Sequence, residues 1–302
     1  MKSGRKIIVL LTTVFLMTGC SSPILYKKPL TDFQTASTIV IDNARTAYNT
    51  VNRKARNAEI DRRVNRGEEI TVEVLGEEDL IVIKKEDLQA RMAALDALTE
   101  HGRMLIELAN SDAPERTGAA VNSFDDAVLK LTDSLDKASS DQFKRKAGAF
   151  ATIAGEVSKL VMAKKIEKAL DKAIRASEKH VSALIELLRD DIVVRLPALQ
   201  RIRLHGARIA AADVYNKILE DSPDDLEKLK SAATGIKKAE DAWEDFLSFP
   251  DPGFEKMAEA HKNLVKYAKG SKNPKNMIEL VAVMNEFADQ AKIIAGAMKE
   301  LQ

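Results

Sequence analysis

The chain has 302 residues, with 47 basic and 46 acidic side chains and a formal net charge of +1. That length admits a large core or two domains. The balanced charge argues against a general nucleic-acid binder, and a 5% aromatic content with one tryptophan, Trp243, leaves few stacking platforms for a sugar cleft.

The first twenty residues stand apart. Lys2, Arg5 and Lys6 form a basic start, Ile7 to Met17 form a short apolar run, and Thr18, Gly19 and Cys20 follow. This is the layout of a secretory signal: a charged start, an apolar core of about 7–15 residues, and small residues at the cut. The run is too short to span a bilayer, which takes about 20 residues. The end, Leu16-Met17-Thr18-Gly19-Cys20, resembles the lipobox of bacterial lipoproteins. Gly19 and Cys20 match that pattern, and Met17 departs mildly from it. The resemblance implies residues 1–19 as a cleaved signal peptide, a diacylglycerol on the Cys20 sulfur and, in most Gram-negative envelopes, a third acyl chain on the new amine. Two or three chains anchor a protein stably, where one does not. Ser21 after the cysteine is similar to outer-membrane cases, so the implied address is the outer membrane, facing the periplasm or the cell surface. Without Lys2, Arg5 and Lys6 the chain keeps 44 basic against 46 acidic side chains. Cys20 is the only cysteine, so stability must come from packing without disulfides.

Residues 20–30, with Pro23 and Pro29, read as an extended tether after the lipidated cysteine. Residues 31–302 read as the fold proper. Thr31 or Asp32 can cap a first helix, whose stripe runs through Ala44, Ala47 or Tyr48, Val51, Ala55 and Ala58. Its end carries a basic cluster of Arg53, Lys54, Arg56, Arg62, Arg63 and Arg66. Gly67 breaks the pattern. Ile70, Val72 and Val74 then alternate with polar residues, a turn follows at Gly76, and Leu80, Ile81, Val82 and Ile83 form an apolar run. Alternation around a turn predicts a small β-hairpin near 67–84. A lone ribbon is marginal in water, so it needs cover from its own bundle or from a partner; Val72, Val74, Gly76 and Val82 are the candidate partner-binding residues.

A second helix spans about 86–110 with Met92, Leu95, Leu98, Leu105 and Leu108 inside, and a third carries Val121, Phe124, Val128, Leu131 and Leu135. The pattern stays helical from about 141 to Leu188, where Leu170, Ile174, Ser177, Val181, Leu184 and Leu188 form a heptad seam. Such a seam packs helices nearly parallel, at about 20°. Pro197 should kink the next stretch or start a new helix, which marks a possible sub-boundary near 190–222. Ser222-Pro223, Asp251-Pro252 and Asn273-Pro274 each pair a capping side chain with a proline at the first helical position. They predict helices near 223–248, 252–269 and 274–301.

Chemical motifs are scarce. The four histidines, His101, His180, His205 and His261, belong to no HExxH or ExxH pattern, and they read as surface or edge residues with no metal site. No nucleophile elbow and no glycine-rich nucleotide loop occurs, so neither a catalytic set nor a cofactor is expected. The run Lys164, Lys165, Lys168, Lys172, Arg175 and Lys179 reads as a solvated face, paired along the helix with Glu167, Asp171 and Glu178; a phosphate or lipid-headgroup contact is its other reading.

The expected architecture is therefore all-α: an elongated antiparallel bundle of seven or eight helices with one small β-hairpin. The expectation for function is a membrane-anchored, non-catalytic envelope lipoprotein that binds a protein partner or acts as a scaffold, held in the membrane by acyl chains on Cys20 and binding no nucleic acid. A carrier of a lipid or small apolar ligand is the alternative, and an envelope enzyme ranks third.

Overall fold

The computed structural model describes residues 23–71, 81–110, 114–138, 166–247, 251 and 253–300. A short 3-10 turn, Pro23–Tyr26, leads directly into α1, Lys27–Arg66. There follow α2 (Lys85–Ala109), α3 (Pro114–Lys137), α4 (Ile166–Asp190), α5 (Leu196–Asp221), α6 (Leu226–Leu247), α7 (Phe254–Lys269) and α8 (Pro274–Glu300). Every regular element among the described residues is helical.

The 40 residues of α1 make a rod about 60 Å long, and they organise the rest. Its first part is buried among α2, α7 and α8, with α3 covering α2 and α4 packed on α2 and α7. Phe33, Val40, Ile41, Ala44, Tyr48 and Val51 face that core. Alanines in the stripe let α2 approach closely: a Cβ built on Gly102 of α2 would lie 1.6 Å from Gln34 Oε1. The last third of α1 leaves the core and packs beside α5 and α6, which form an antiparallel hairpin closed by Arg208 Nε on Glu240 at 2.7 Å. Among the described side chains of this arm beyond Leu196, which joins the main core, few are buried: Ala55, Ala210, Ala211, Leu229 and Ala232.

Not every neighbour is antiparallel. Arg45 pairs with Asp96 while Asn52 meets Ile83, so α2 runs against α1. Tyr26 meets Asp171 and Tyr48 meets Asp191, so α4 runs parallel to α1.

Several expectations need correction. The residues between Pro23 and Leu30 are not an extended tether. They are helical, and Tyr26 and Leu30 are fully buried, because a tyrosine and a leucine in that first turn find apolar cover. Of the expected hairpin, Val72, Val74 and Gly76 lie outside the described residues. Its second strand is not formed at 81–84, where the backbone bends and enters α2. Asn52 replaces the strand partner: its amide donates to Ile83 O at 2.8 Å, and its Oδ1 accepts from Ile83 N at 2.9 Å. Both backbone groups are thereby satisfied without a ladder. Val82 is half-buried against the protein's own core, and Ile83 is inside it.

The helix between α4 and α5 neither stops nor kinks at Pro197 alone. It widens into a π turn, Asp191–Arg195, where Leu196 N–H bonds Asp191 O five residues back. Pro197 has no N–H to offer Val193 O and would crowd that carbonyl in a regular helix; the wider turn absorbs this. Of the three proline caps, Asn273-Pro274 behaves as read, with α8 opening at Pro274, whereas α7 opens at Phe254 after Gly253, two residues beyond Pro252. Asn273 Oδ1 accepts from Asn276 N at 2.8 Å, and Asp251 Oδ1 accepts from Gly253 N and Phe254 N, each at 2.9 Å. The third is displaced: Ser222-Pro223 forms a turn, and Asp225 caps α6 through Lys228 N at 3.1 Å.

Candidate functional site

The structure brings together three polar clusters that the sequence pattern did not single out. The first lies at the π turn. Asp191 is buried, and both its oxygens face Arg91 of α2, with Nη2 to Oδ1 at 2.8 Å and Nε to Oδ2 at 2.5 Å. Tyr48 of α1 donates to Oδ2 at 3.0 Å, and Arg91 Nη1 donates to Asp87 O at 2.9 Å. Burial opposes the Arg91 charge, and the facing carboxylate overrides it, so its pKa is raised. Burial, reinforced by Asp191, likewise pushes the Tyr48 phenol well above its ordinary value. The carboxylate is held by a bidentate guanidinium and a phenol inside the core, a geometry that clamps three helices.

The second cluster seats the start of the fold. Tyr26 donates to Asp171 of α4, and Lys272, in the turn between α7 and α8, donates to Tyr26 Oη at 2.5 Å, to Asp171 Oδ1 at 3.2 Å and to Tyr267 O at 2.7 Å. The Lys272 ammonium also sits 5.1 Å from the Tyr26 ring centre and 4.6 Å from that of Tyr267. Burial raises the Tyr26 pKa, and burial lowers that of Lys272 against the pull of Asp171.

The third cluster is in the core. His101 of α2 and His261 of α7 are both buried, with ring centres 6.3 Å apart. Phe33 lies against His261 and Phe124 against His101. Neither nitrogen of His261 has a hydrogen-bond partner, and Ser37 Oγ and Gln34 Oε1 on the adjoining face of α1 have none either. Burial pushes His261 down to about 4 and His101 to about 3, the latter helped by His261. These two histidines are not the surface residues that the sequence reading expected. Their spacing carried the signal: His101 continues Leu98, Leu105 and Leu108, and His261 continues Met257, Leu264 and Ala268, each at three- and four-residue steps.

The other sequence candidates fall elsewhere. Cys20, Val72, Val74 and Gly76 lie outside the described residues, and Val82 packs on the core. Of the acids expected to pair along the basic run of α4, Glu167 lies outside the described side chains, and Asp171 and Glu178 do not pair along their own helix. Asp171 reaches Lys272 and Glu178 reaches Lys269, because both acids point across to α7 and its following turn. In the basic end of α1, Arg62 and Arg63 clamp Glu59, and Arg62 also holds Glu68.

Among the described residues no group of three or more histidine, cysteine or acidic side chains could hold a metal ion, and no helix is long and apolar enough to cross a membrane. No protein-family model matches this chain, and no curated protein or solved structure matches it either.

Proposed function

We propose that this protein is a lipid-anchored envelope lipoprotein, without catalytic activity, that serves as a protein-binding scaffold. The observation that carries the reading is the layout of residues 1–20: basic start, short apolar run, and Leu16-Met17-Thr18-Gly19-Cys20. The acyl chains on Cys20 are its membrane attachment, and Ser21 favours the outer membrane.

Packing supports a scaffold over a carrier. Tyr48, Phe124, Phe254, Phe287, Leu95, Met104 and Leu105 are fully buried and fill the space between the helices. A partner would be held by the arm. Val64, Ile209, Leu219 and Leu226 are large apolar side chains exposed there, on the part of the molecule remote from Tyr26.

The anchor is tested by Cys20→Ala. This change removes the only sulfur that can take a diacylglycerol, so metabolic labelling with palmitate should vanish and the precursor should stay uncut at this site. Unchanged labelling would refute the lipoprotein reading. The scaffold is tested by capture of the acylated protein from detergent-solubilised membranes beside its Ile209→Glu/Leu226→Glu variant. The variant should lose a co-purifying protein while keeping its melting temperature, because both side chains are exposed. Identical co-purifying proteins in both samples would remove the arm from the proposal.

A further inference from the structure

We infer that the end of the bundle at which the fold begins is a docking surface for the anionic phospholipid headgroups of the membrane that holds Cys20, so that the bundle stands on that end with the α5–α6 arm pointing away. The inference rests on the lipoprotein reading for the identity of the anchor and goes beyond it in assigning a second, non-covalent membrane contact.

Distance makes the first argument. Cys20 precedes Pro23 by three residues, and a chain of that length reaches at most about 11 Å. Tyr26 is locked to Asp171, Tyr267 and Lys272, so the end formed by these elements cannot move away from the acyl chains without unseating Tyr26.

Charge makes the second. Lys27 adjoins Tyr26, Lys172 adjoins Asp171, Lys266 adjoins Tyr267, and Lys275 lies three residues after Lys272; all four are exposed. None of the four has a carboxylate within ion-pair distance among the described residues. Among the described acids of this end, Asp32 is engaged with Lys28, Asp171 with Tyr26 and Lys272, Glu178 with Lys269, and Glu107 with Arg116. Glu279 is the exposed acid that remains beside Lys275. Two large apolar side chains stand among these lysines, Leu25 at 45% and Ile278 at 70% exposure. Unpaired lysines around exposed aliphatic side chains are the composition of an interfacial contact, in which the ammonium groups meet phosphates and the apolar groups enter the headgroup layer.

The opposite tip has the reverse sign. The turn between α5 and α6 carries Glu220, Asp221, Asp224, Asp225 and Glu227 against Lys217, Lys228 and Lys230, with Asp225 paired to Lys228, which leaves a net acidic excess. An anionic surface attracts one end of the molecule and repels the other, which sets an orientation that acyl chains alone do not.

The experiment uses the full acylated protein, whose single native thiol is consumed by the lipid. One fluorophore is attached through Ile278→Cys or, separately, through Leu226→Cys, in vesicles of brominated phosphatidylcholine with and without about 30 mol% phosphatidylglycerol. The label at 278 should be quenched strongly when phosphatidylglycerol is present, and the label at 226 should not. Lys27→Glu/Lys172→Glu/Lys266→Glu/Lys275→Glu should cut the quenching at 278 by more than half, with an unchanged melting temperature as the fold control. Equal quenching at both positions, or quenching at 278 that ignores both lipid charge and the four reversals, would overturn the inference. A mass spectrum of the same sample separates this from the anchor. If Cys20 carries no lipid, the lipoprotein reading fails, and the unacylated chain decides the docking. Salt-sensitive co-sedimentation with phosphatidylglycerol vesicles, weakened at least tenfold by the four reversals, would then support the surface, and its absence would overturn it.

Discussion

Asp191 and its partners show how much one buried acid commits. A carboxylate taken out of water is tolerable only when its oxygens are satisfied, and here Arg91 and Tyr48 do so from two other helices. Asp191→Leu takes from the buried Arg91 guanidinium the carboxylate that faces it, and should cost about 3–5 kcal/mol in chemical denaturation. Arg91→Met together with Asp191→Leu should recover much of that loss, since replacing both partners removes the stranded charge. A double variant no more stable than Asp191→Leu alone would mean that the pair itself, rather than the desolvated charge, sets the cost. The histidines make the complementary case. Unfolded, each takes up a proton near pH 6.5; folded, His261 does so only near 4 and His101 only near 3. Between those values the unfolded state binds more protons, so stability is complete above pH 6.5 and falls as the pH drops below it. By pH 5 the loss is about 2 kcal/mol for each ring. Thermal melts at pH 7.5 and pH 5 should show it, and His261→Leu should roughly halve the difference. A slope unchanged in that variant would place the His261 ring in water. Only one of the two clusters was readable in the sequence: the three- and four-residue steps through His101 and His261 were visible, whereas nothing local distinguished Asp191 from Asp190.

At the scale of elements, local chemistry predicts well where it acts alone. The seam of Leu170, Ile174, Ser177, Val181, Leu184 and Leu188 is buried as its spacing required. Gly67 ends α1 with a left-handed φ of 64°, a conformation that glycine reaches without a Cβ clash. Local chemistry misleads where a distant side chain competes. Ile81, Val82 and Ile83 have strand propensity, yet the hydrogen bonds that a strand needs are made by Asn52, which lies 31 residues before Ile83. Asn52→Ala should therefore cost about 1–2 kcal/mol, because it leaves two backbone groups of Ile83 to find water. The Ile83 amide should also exchange its hydrogen markedly faster by NMR. Exchange at the native rate would show that another partner holds this crossing.

Over the whole molecule, burial divides unevenly along α1. Around its first part, large side chains from five further helices fill one core; around its last third, the arm buries mainly alanines. Opening free energy follows buried apolar area, so the arm should be the weaker unit. Hydrogen exchange should find amides of α5 and α6 exchanging about tenfold or more faster than those of α2, α4 and α7. Uniform protection across all five helices would mean that the arm opens only with the core. The sequence by itself determined the helical class, most helix positions, the buried seam and the lipobox-like start, because each depends on residues within one or two turns of each other. Tertiary structure alone decided that residues 23–30 dock on the bundle, that residues 81–84 bend, that Asp171 and Glu178 pair across to 272 and 269, and that Asp191 rather than Asp190 lies inside. Each of those outcomes turns on which distant side chain supplies a hydrogen bond or excludes water, and spacing along one helix cannot carry that information.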